Sequence, residues 1–252
     1  YVKDKYTHKH QKMPTRTQLD KKEPAMRRDT ILFDINETVL DLSSLKPLFA
    51  KHLGSEAVTA TWFSMLLHSS NVCALTGVRS DFGSLAGAML DTLAARMGLE
   101  LGQDSKQKIL GAFATMPAHP DVHQALETLK AAGYRTIAFT NSSIRLVTSQ
   151  IANSGLLGLF DQQISVESTG TFKPDIKVYQ HAANQVGRPI ETLRLIATHD
   201  WDTHGALSSG MRAGYIDRTG APYHAQYLRP DAFANSMPEL VAQILRLDET
   251  PA

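Results

Sequence analysis

The sequence predicts a doubly wound parallel α/β sheet with a helical insertion after its first strand, on three observations. Short apolar runs end in polar residues at Ile31-Leu32-Phe33-Asp34, at Ile137-Ala138-Phe139-Thr140-Asn141-Ser142, and at Leu195-Ile196-Ala197-Thr198-His199-Asp200-Trp201-Asp202. That is how a buried parallel strand delivers side chains to the mouth of a sheet. The second half of the chain alternates helix and strand with short connections, as parallel crossovers require. Between the first strand and that alternation lies a long stretch with helical periodicity only.

The elements follow in order. From Leu42 to about Pro117 the chain reads as helical throughout, with Trp62, Met65 and Leu66, then Leu85, Met89, Leu93 and Met97, recurring at three- and four-residue intervals. These stripes read first as core packing. Asp121 to Ala132 is a helix stopped by Gly133, and Tyr134 to Phe139 a strand. Ser143 to Asn153 is a helix ending before Gly155, Gln163 to Val166 a short strand, and Ile176 to Val186 a helix. Leu193 to Ala197 and Ala213 to Ile216 are strands, and Glu239 to Leu247 closes with a helix.

Composition narrows the class. With 252 residues and 42% hydrophobic content, the chain can bury one substantial core and a small second lobe. No apolar run approaches the roughly 18 to 20 residues that span a bilayer, so no membrane partner is expected. A net charge of +1 gives no reason to expect nucleic acid. The single cysteine, Cys73, forms no internal disulfide and fits a reducing, cytoplasmic compartment. Residues 1–29 carry nine Lys/Arg against four Asp/Glu and almost no apolar periodicity, so they read as a disordered or extension segment outside the fold.

Asp34 alone serves equally well as a turn former or a helix cap. Its company changes that reading. Thr38 follows four residues later, an isolated Lys173 precedes Pro174, and Asp202 lies beyond the last strand. Polar groups at the carboxyl ends of neighbouring parallel strands converge in one crevice.

The four segments, in this order, resemble the haloacid dehalogenase superfamily of aspartate-nucleophile hydrolases, over most of the chain from about Thr30 to Leu247. Within it the likeness is closest to the L-2-haloacid dehalogenases. The details are Lys173-Pro174-Asp175 followed by Val178-Tyr179, and Trp201-Asp202 followed by Gly205-Ala206, Gly210 and Ile216-Asp217-Arg218. The resemblance implies a Rossmann-like core over 30–41 and 118–252, with a helical cap over 42–117. It also implies roles: Asp34 as nucleophile, Thr38 orienting it, and Thr140 with Asn141 holding the nucleophile or a substrate oxyanion. Lys173 would keep the carboxylate ionised and bind an anionic group, Tyr179 would line the pocket, and Asp202 would orient Lys173 or the hydrolytic water.

Metal separates the branches of the superfamily. Its phosphatases hold magnesium with the nucleophile, a second aspartate two positions on, and acidic residues in the last motif. Here the second position is Asn36, and Thr198 stands where the last motif begins, with Asp200 out of register. Asn36 also cannot give a proton to a leaving ester oxygen. The expected reaction therefore needs no metal and no cofactor. It is hydrolytic dehalogenation of 2-haloalkanoic acids to 2-hydroxy acids through an aspartyl ester.

The chain departs from the dehalogenase pattern as well. Aligned without gaps from Trp62 to Phe82, Phe63 stands where those enzymes carry a halide-accepting arginine, and Phe63 and Phe82 are expected among the substrate-binding residues; Asn36 replaces a pocket aromatic, Ala197 a serine, and His199 an asparagine. Losing such a donor costs about 10²–10³-fold in rate, so Asn36, His199 or the Trp201 indole would hold the halide, and Arg79 is a further candidate cap cation. Partners expected are a small anionic halocarboxylate and water. Related dehalogenases are commonly dimers, which makes a homodimer an expectation. A magnesium-dependent phosphatase and a non-catalytic binding member are the alternatives.

Overall fold

The computed structural model describes Tyr1 and residues 28–249. The expectation for residues 1–29 therefore lies outside the described residues except at Tyr1, Arg28 and Asp29. Asp29 already belongs to the sheet region, since its carbonyl accepts a 2.7 Å hydrogen bond from Arg135 N.

Strand β1 (Thr30–Phe33) is followed, after a turn at Leu42–Leu45, by four helices: α1 (Lys46–Leu53), α2 (Val58–Thr76), α3 (Phe82–Arg96) and α4 (Gln103–Ala112). Their limits are chemical. Gly54 and Gly77 end α1 and α2 in the left-handed conformation, and Asp81 caps α3 by accepting from Ser84 N at 2.8 Å. The periodic apolar residues pack as expected: Trp62, Phe63 and Leu66 of α2 are buried, and Trp62 Nε1 donates to Ala86 O of α3 at 3.0 Å.

The chain then alternates through α5 (Val122–Ala131), β2 (Arg135–Thr140), α6 (Ile144–Asn153), β3 (Gln162–Ser165), α7 (Ile176–Val186) and β4 (Leu193–Ala197). It continues with α8 (Asp200–Ser208), β5 (Arg212–Ile216), β6 (Ala232–Ala234) and α9 (Met237–Glu249). The strands form one six-stranded sheet in the order β3-β2-β1-β4-β5-β6, every neighbouring pair parallel. The expected doubly wound α/β sheet is present, with two additions, α8 and the short edge strand β6.

The order of strands decides where chemistry can happen. From β1 the chain moves outward to β2 and β3, then crosses back so that β4 lies on the other side of β1. The crevice at such a reversal, beyond the carboxyl ends of the strands, is open to a ligand. Asp34 follows β1 there, and Thr198 and His199 follow β4.

Candidate active site

Asp34 is the centre of a buried charge cluster. Its amide donates to Ile196 O at 2.9 Å, continuing the β1–β4 pairing, and its residue is 6% exposed. Lys173 Nζ lies 3.2 Å from Asp34 Oδ1 and 2.9 Å from Asp202 Oδ2, and also donates to Phe139 O at 2.9 Å. Thr38 Oγ1 donates to Asp34 Oδ2 at 2.8 Å and accepts from Thr198 N at 2.9 Å. A threonine four residues after the strand end thus links the aspartate to the end of β4.

Burial alone would raise the pKa of Asp34. The Lys173 ammonium, with His199 and Thr38, more than offsets this and holds the carboxyl well below the usual carboxylate range. Burial likewise works against the charge on Lys173, but Asp202 and Asp34 keep the ammonium protonated and raise its pKa. Asp202 is pushed upward by burial and, further, by the Asp34 charge, against the pull of Lys173.

Asp202 lies within the first turn of α8, whose N-cap is His199. Its Oδ1 accepts a 2.6 Å hydrogen bond from the Tyr179 hydroxyl. This corrects the expectation that Tyr179 lines the pocket: the ring is fully buried and its hydroxyl is spent on Asp202. Room for it exists because residue 205 is glycine; a Cβ there would come within 2.5 Å of Tyr179 Oη and 2.7 Å of Pro174 Cβ.

Several other expectations change. Asn36 is tied at both ends, its Nδ2 donating to Ser142 Oγ and its Oδ1 accepting from Gln150 Nε2, each at 3.1 Å. It is a strut between the first loop and α6 rather than an open halide donor. Thr140 Oγ1 accepts from Ser142 N at 3.1 Å, so in this structure it shapes the turn after β2 and does not hold Asp34. Asn141 Oδ1 accepts from Lys173 N at 3.0 Å and thereby seats the lysine backbone. Phe82, the first residue of α3, packs against Phe172 at 6.4 Å between ring centres. Arg79 is exposed, its guanidinium over Gly170, and does not enter the cluster.

His199 is at the cluster. Its Nδ1 lies 3.3 Å from Asp34 Oδ2, an ion-pair distance without good hydrogen-bond alignment, and its Nε2 is 2.8 Å from Glu37 Oε2. The ring lies between Trp201, stacked at 5.2 Å, and Phe63 at 6.3 Å. Burial would lower its pKa, yet the close contacts and charges of Asp34 and Glu37 raise it to about 10. The imidazole is therefore a cation at neutral pH. Glu37 is the residue that the sequence reading passed over. The available signal was a carboxylate three positions after Asp34 and a buried histidine in need of an anionic partner.

The donors fit a magnesium ion poorly. Both Asp34 oxygens and both Asp202 oxygens already bond to Lys173, Thr38 or Tyr179. Asn36 Oδ1 faces Gln150, and Asp200 caps Trp201 N and His224 N. The adjacent ammonium and imidazolium would also repel a dication.

The family model for haloacid dehalogenase-like hydrolases matches residues 28–193. The chain belongs to this family. Among the haloacid dehalogenases it resembles, (S)-2-haloacid dehalogenase 1 of Pseudomonas sp. strain CBS-3 is 29% identical over 86% of this chain and 97% of that enzyme. Haloacetate dehalogenase H-2 of Moraxella sp. strain B is 24% identical over 81% of this chain and 92% of that enzyme. The fold matches that of L-2-haloacid dehalogenase from Xanthobacter autotrophicus, solved with chloropropionic acid covalently bound, at a TM-score of 0.81. The match spans 86% of this chain and 98% of that one at 21% identity.

Proposed function

We propose that this haloacid dehalogenase-like hydrolase displaces halide from small 2-haloalkanoic acids such as haloacetate and 2-halopropionate, without metal or cofactor. The observation that carries the reading is a strand-end carboxylate kept ionised by Lys173 and Thr38, with a second cation, His199, against it. Asp34 attacks the carbon that bears the halogen; the carbon–oxygen bond forms as the halide leaves with the bonding electrons, inverting that carbon. Lys173 and His199 supply the positive charge that attracts the anionic substrate and steadies the departing halide, in place of the arginine replaced by Phe63.

The ester removes the charge of Asp34, and with it a main reason for His199 to stay protonated. Nδ1 then releases its proton to solvent along with the halide, while Nε2–H stays on Glu37. Water adds to the aspartyl carbonyl carbon as Nδ1 takes one of its protons and passes it to the 2-hydroxy oxygen when the ester carbon–oxygen bond breaks; the second water proton moves from the new carboxyl group to Nδ1, which restores the Asp34 carboxylate and the imidazolium. Asp202, held by Tyr179, keeps Lys173 in place throughout. The helices over 42–117 act in this reading as a cap that excludes water, with residues 30–41 and 118–252 as the core.

Halide release from haloacetates and both 2-chloropropionate enantiomers, in the presence of chelator, tests the proposal. The wild type should release halide and Asp34→Asn should not. In a single turnover in ¹⁸O-water the label should enter the Asp34 carboxylate before it reaches product. Activity confined to magnesium-stimulated phosphate ester hydrolysis would sink the reading. The cytoplasmic setting that a single buried cysteine suits and a homodimer, measurable by light scattering, belong to the same proposal. No helix among the described residues is long and apolar enough to cross a membrane.

A further inference from the structure

We propose that His119, on the segment that brings the chain back from the helical insertion, is a positioning residue that holds Glu37 in a left-handed backbone so that its carboxylate faces His199. This rests on the reading of His199 and Glu37 as the pair that activates water. The starting point is the backbone: Glu37 has φ 64°, the single non-glycine positive φ among the described residues. Left-handed geometry crowds the Cβ of an L residue, and glutamate lacks the short side chain with which asparagine offsets it locally. Contacts from elsewhere must hold it there.

Those contacts come from one direction. His119 Nε2 lies 2.9 Å from Glu37 O. At the next peptide, Arg218 Nη2 donates to Thr38 O at 3.1 Å while its Nη1 pairs with Asp121 at 2.8 Å. Two successive carbonyls of the nucleophile loop are thus gripped beside the 119–121 segment. His119 is itself anchored, its amide donating to Val39 O at 2.9 Å, next to the Leu40–Ala118 bridge and the 2.8 Å bond from Asp41 N to Pro117 O.

The charge state of His119 suits the role. Burial first, then Arg218, lowers its pKa below the ordinary histidine value, against the Glu37 carbonyl, Asp41 and Asp121, which raise it. The neutral ring with its proton on Nε2 donates to Glu37 O. Without that donor the Glu37 peptide relaxes toward negative φ, the carboxylate swings off His199, and the ring loses the partner that orients it. Ester formation keeps Asp34, Lys173 and Thr38, and until the ester forms the Asp34 carboxylate itself holds the His199 cation at 3.3 Å, so this step should survive.

The experiment separates the two half-reactions by rapid quench, following halide release and the mass of the alkylated protein. His119→Ala should keep a halide burst of one equivalent but slow ester hydrolysis about 10- to 100-fold, so that adduct accumulates. His119→Gln, whose amide nitrogen reaches about as far as Nε2, should restore most of the rate; the shorter His119→Asn should not. On a Glu37→Gly background, His119→Ala should add no further slowing. Unchanged ester hydrolysis in His119→Asn, failure of His119→Gln to rescue, or full additivity with Glu37→Gly would overturn the proposal. The underlying reading fails differently, by unchanged ester hydrolysis in Glu37→Gln or by the absence of a burst from the wild type. Urea unfolding of each variant identifies any that do not fold, and the His119→Asn and His119→Gln comparison stands if His119→Ala is one of them.

Discussion

His199 carries the charge balance of the site, and its titration makes that balance measurable. Its folded-state pKa of about 10 lies above the 6.5 of an ordinary histidine. A group with a raised folded pKa contributes stability that is fully present below the unfolded value and is lost as pH rises through the folded one. The urea midpoint of the wild type should therefore fall, relative to His199→Asn, between about pH 6.5 and pH 10. Parallel curves for the two proteins across that window would show that the imidazolium is not held by Asp34 and Glu37. At this scale the sequence was partly legible. Asp34, Thr38, Lys173, His199 and Asp202 were visible as strand-end or isolated polar residues, and the structure brings all five together. Asn36, Tyr179 and Arg79 were assigned to the pocket because a motif position says nothing about which way a side chain turns. Glu37 offered only its spacing from Asp34, since its orientation depends on a positive φ, and His119 left no readable signal, because its role depends on a contact across 82 positions.

Among the elements, α7 (Ile176–Val186) and β4 (Leu193–Ala197) match their expected bounds, since a capping Asp175, a Gly187 stop and an unbroken apolar run define them locally. α8 was harder. It buries Asp202, Thr203, Gly205 and Ala206, polar and small residues together, and so shows no clean apolar stripe. Strand β6 has three residues, too few for an alternation to register. The close approach of α7 to α8 yields its own prediction. Gly205→Ala places a Cβ against the Tyr179 hydroxyl and Pro174, so one helix must shift, at a cost of about 1–3 kcal/mol. Because Tyr179 holds Asp202, turnover should fall along with the urea midpoint; a variant with full activity and wild-type stability would contradict the packing.

Across the whole molecule, the two ends of the sheet are organised for different purposes. The carboxyl end gathers the charged site. The amino end is closed by a second charge network. Arg194, almost fully buried on β4, pairs with Asp231 and with Asp248 of α9 at 3.3 Å, and Arg212 reaches the same two aspartates at 3.0 and 2.5 Å. The Tyr134 hydroxyl donates to Asp248 at 3.1 Å. Removing one partner of such a buried pair costs about 3–5 kcal/mol. Asp248→Ala should accordingly lower the urea midpoint while halide release per folded molecule stays unchanged, because the network and Asp34 lie at opposite ends of the strands. A drop in the specific rate without a drop in stability would show that the two ends are coupled.

What the sequence determined by itself was local and periodic: apolar runs that must be buried strands, helical stripes, caps and stops, and polar residues at strand ends. Those features have short-range physical causes, so they survive being read one segment at a time. The tertiary structure alone decided which polar groups share a charge. Lys173 serves Asp34 and Asp202 at once, Tyr179 commits its hydroxyl to Asp202, and a histidine from one strand end meets a glutamate from another. The reason is electrostatic: an ionic interaction takes its strength from burial and from distances of about 3 Å, and both exist only when separate elements close on one another.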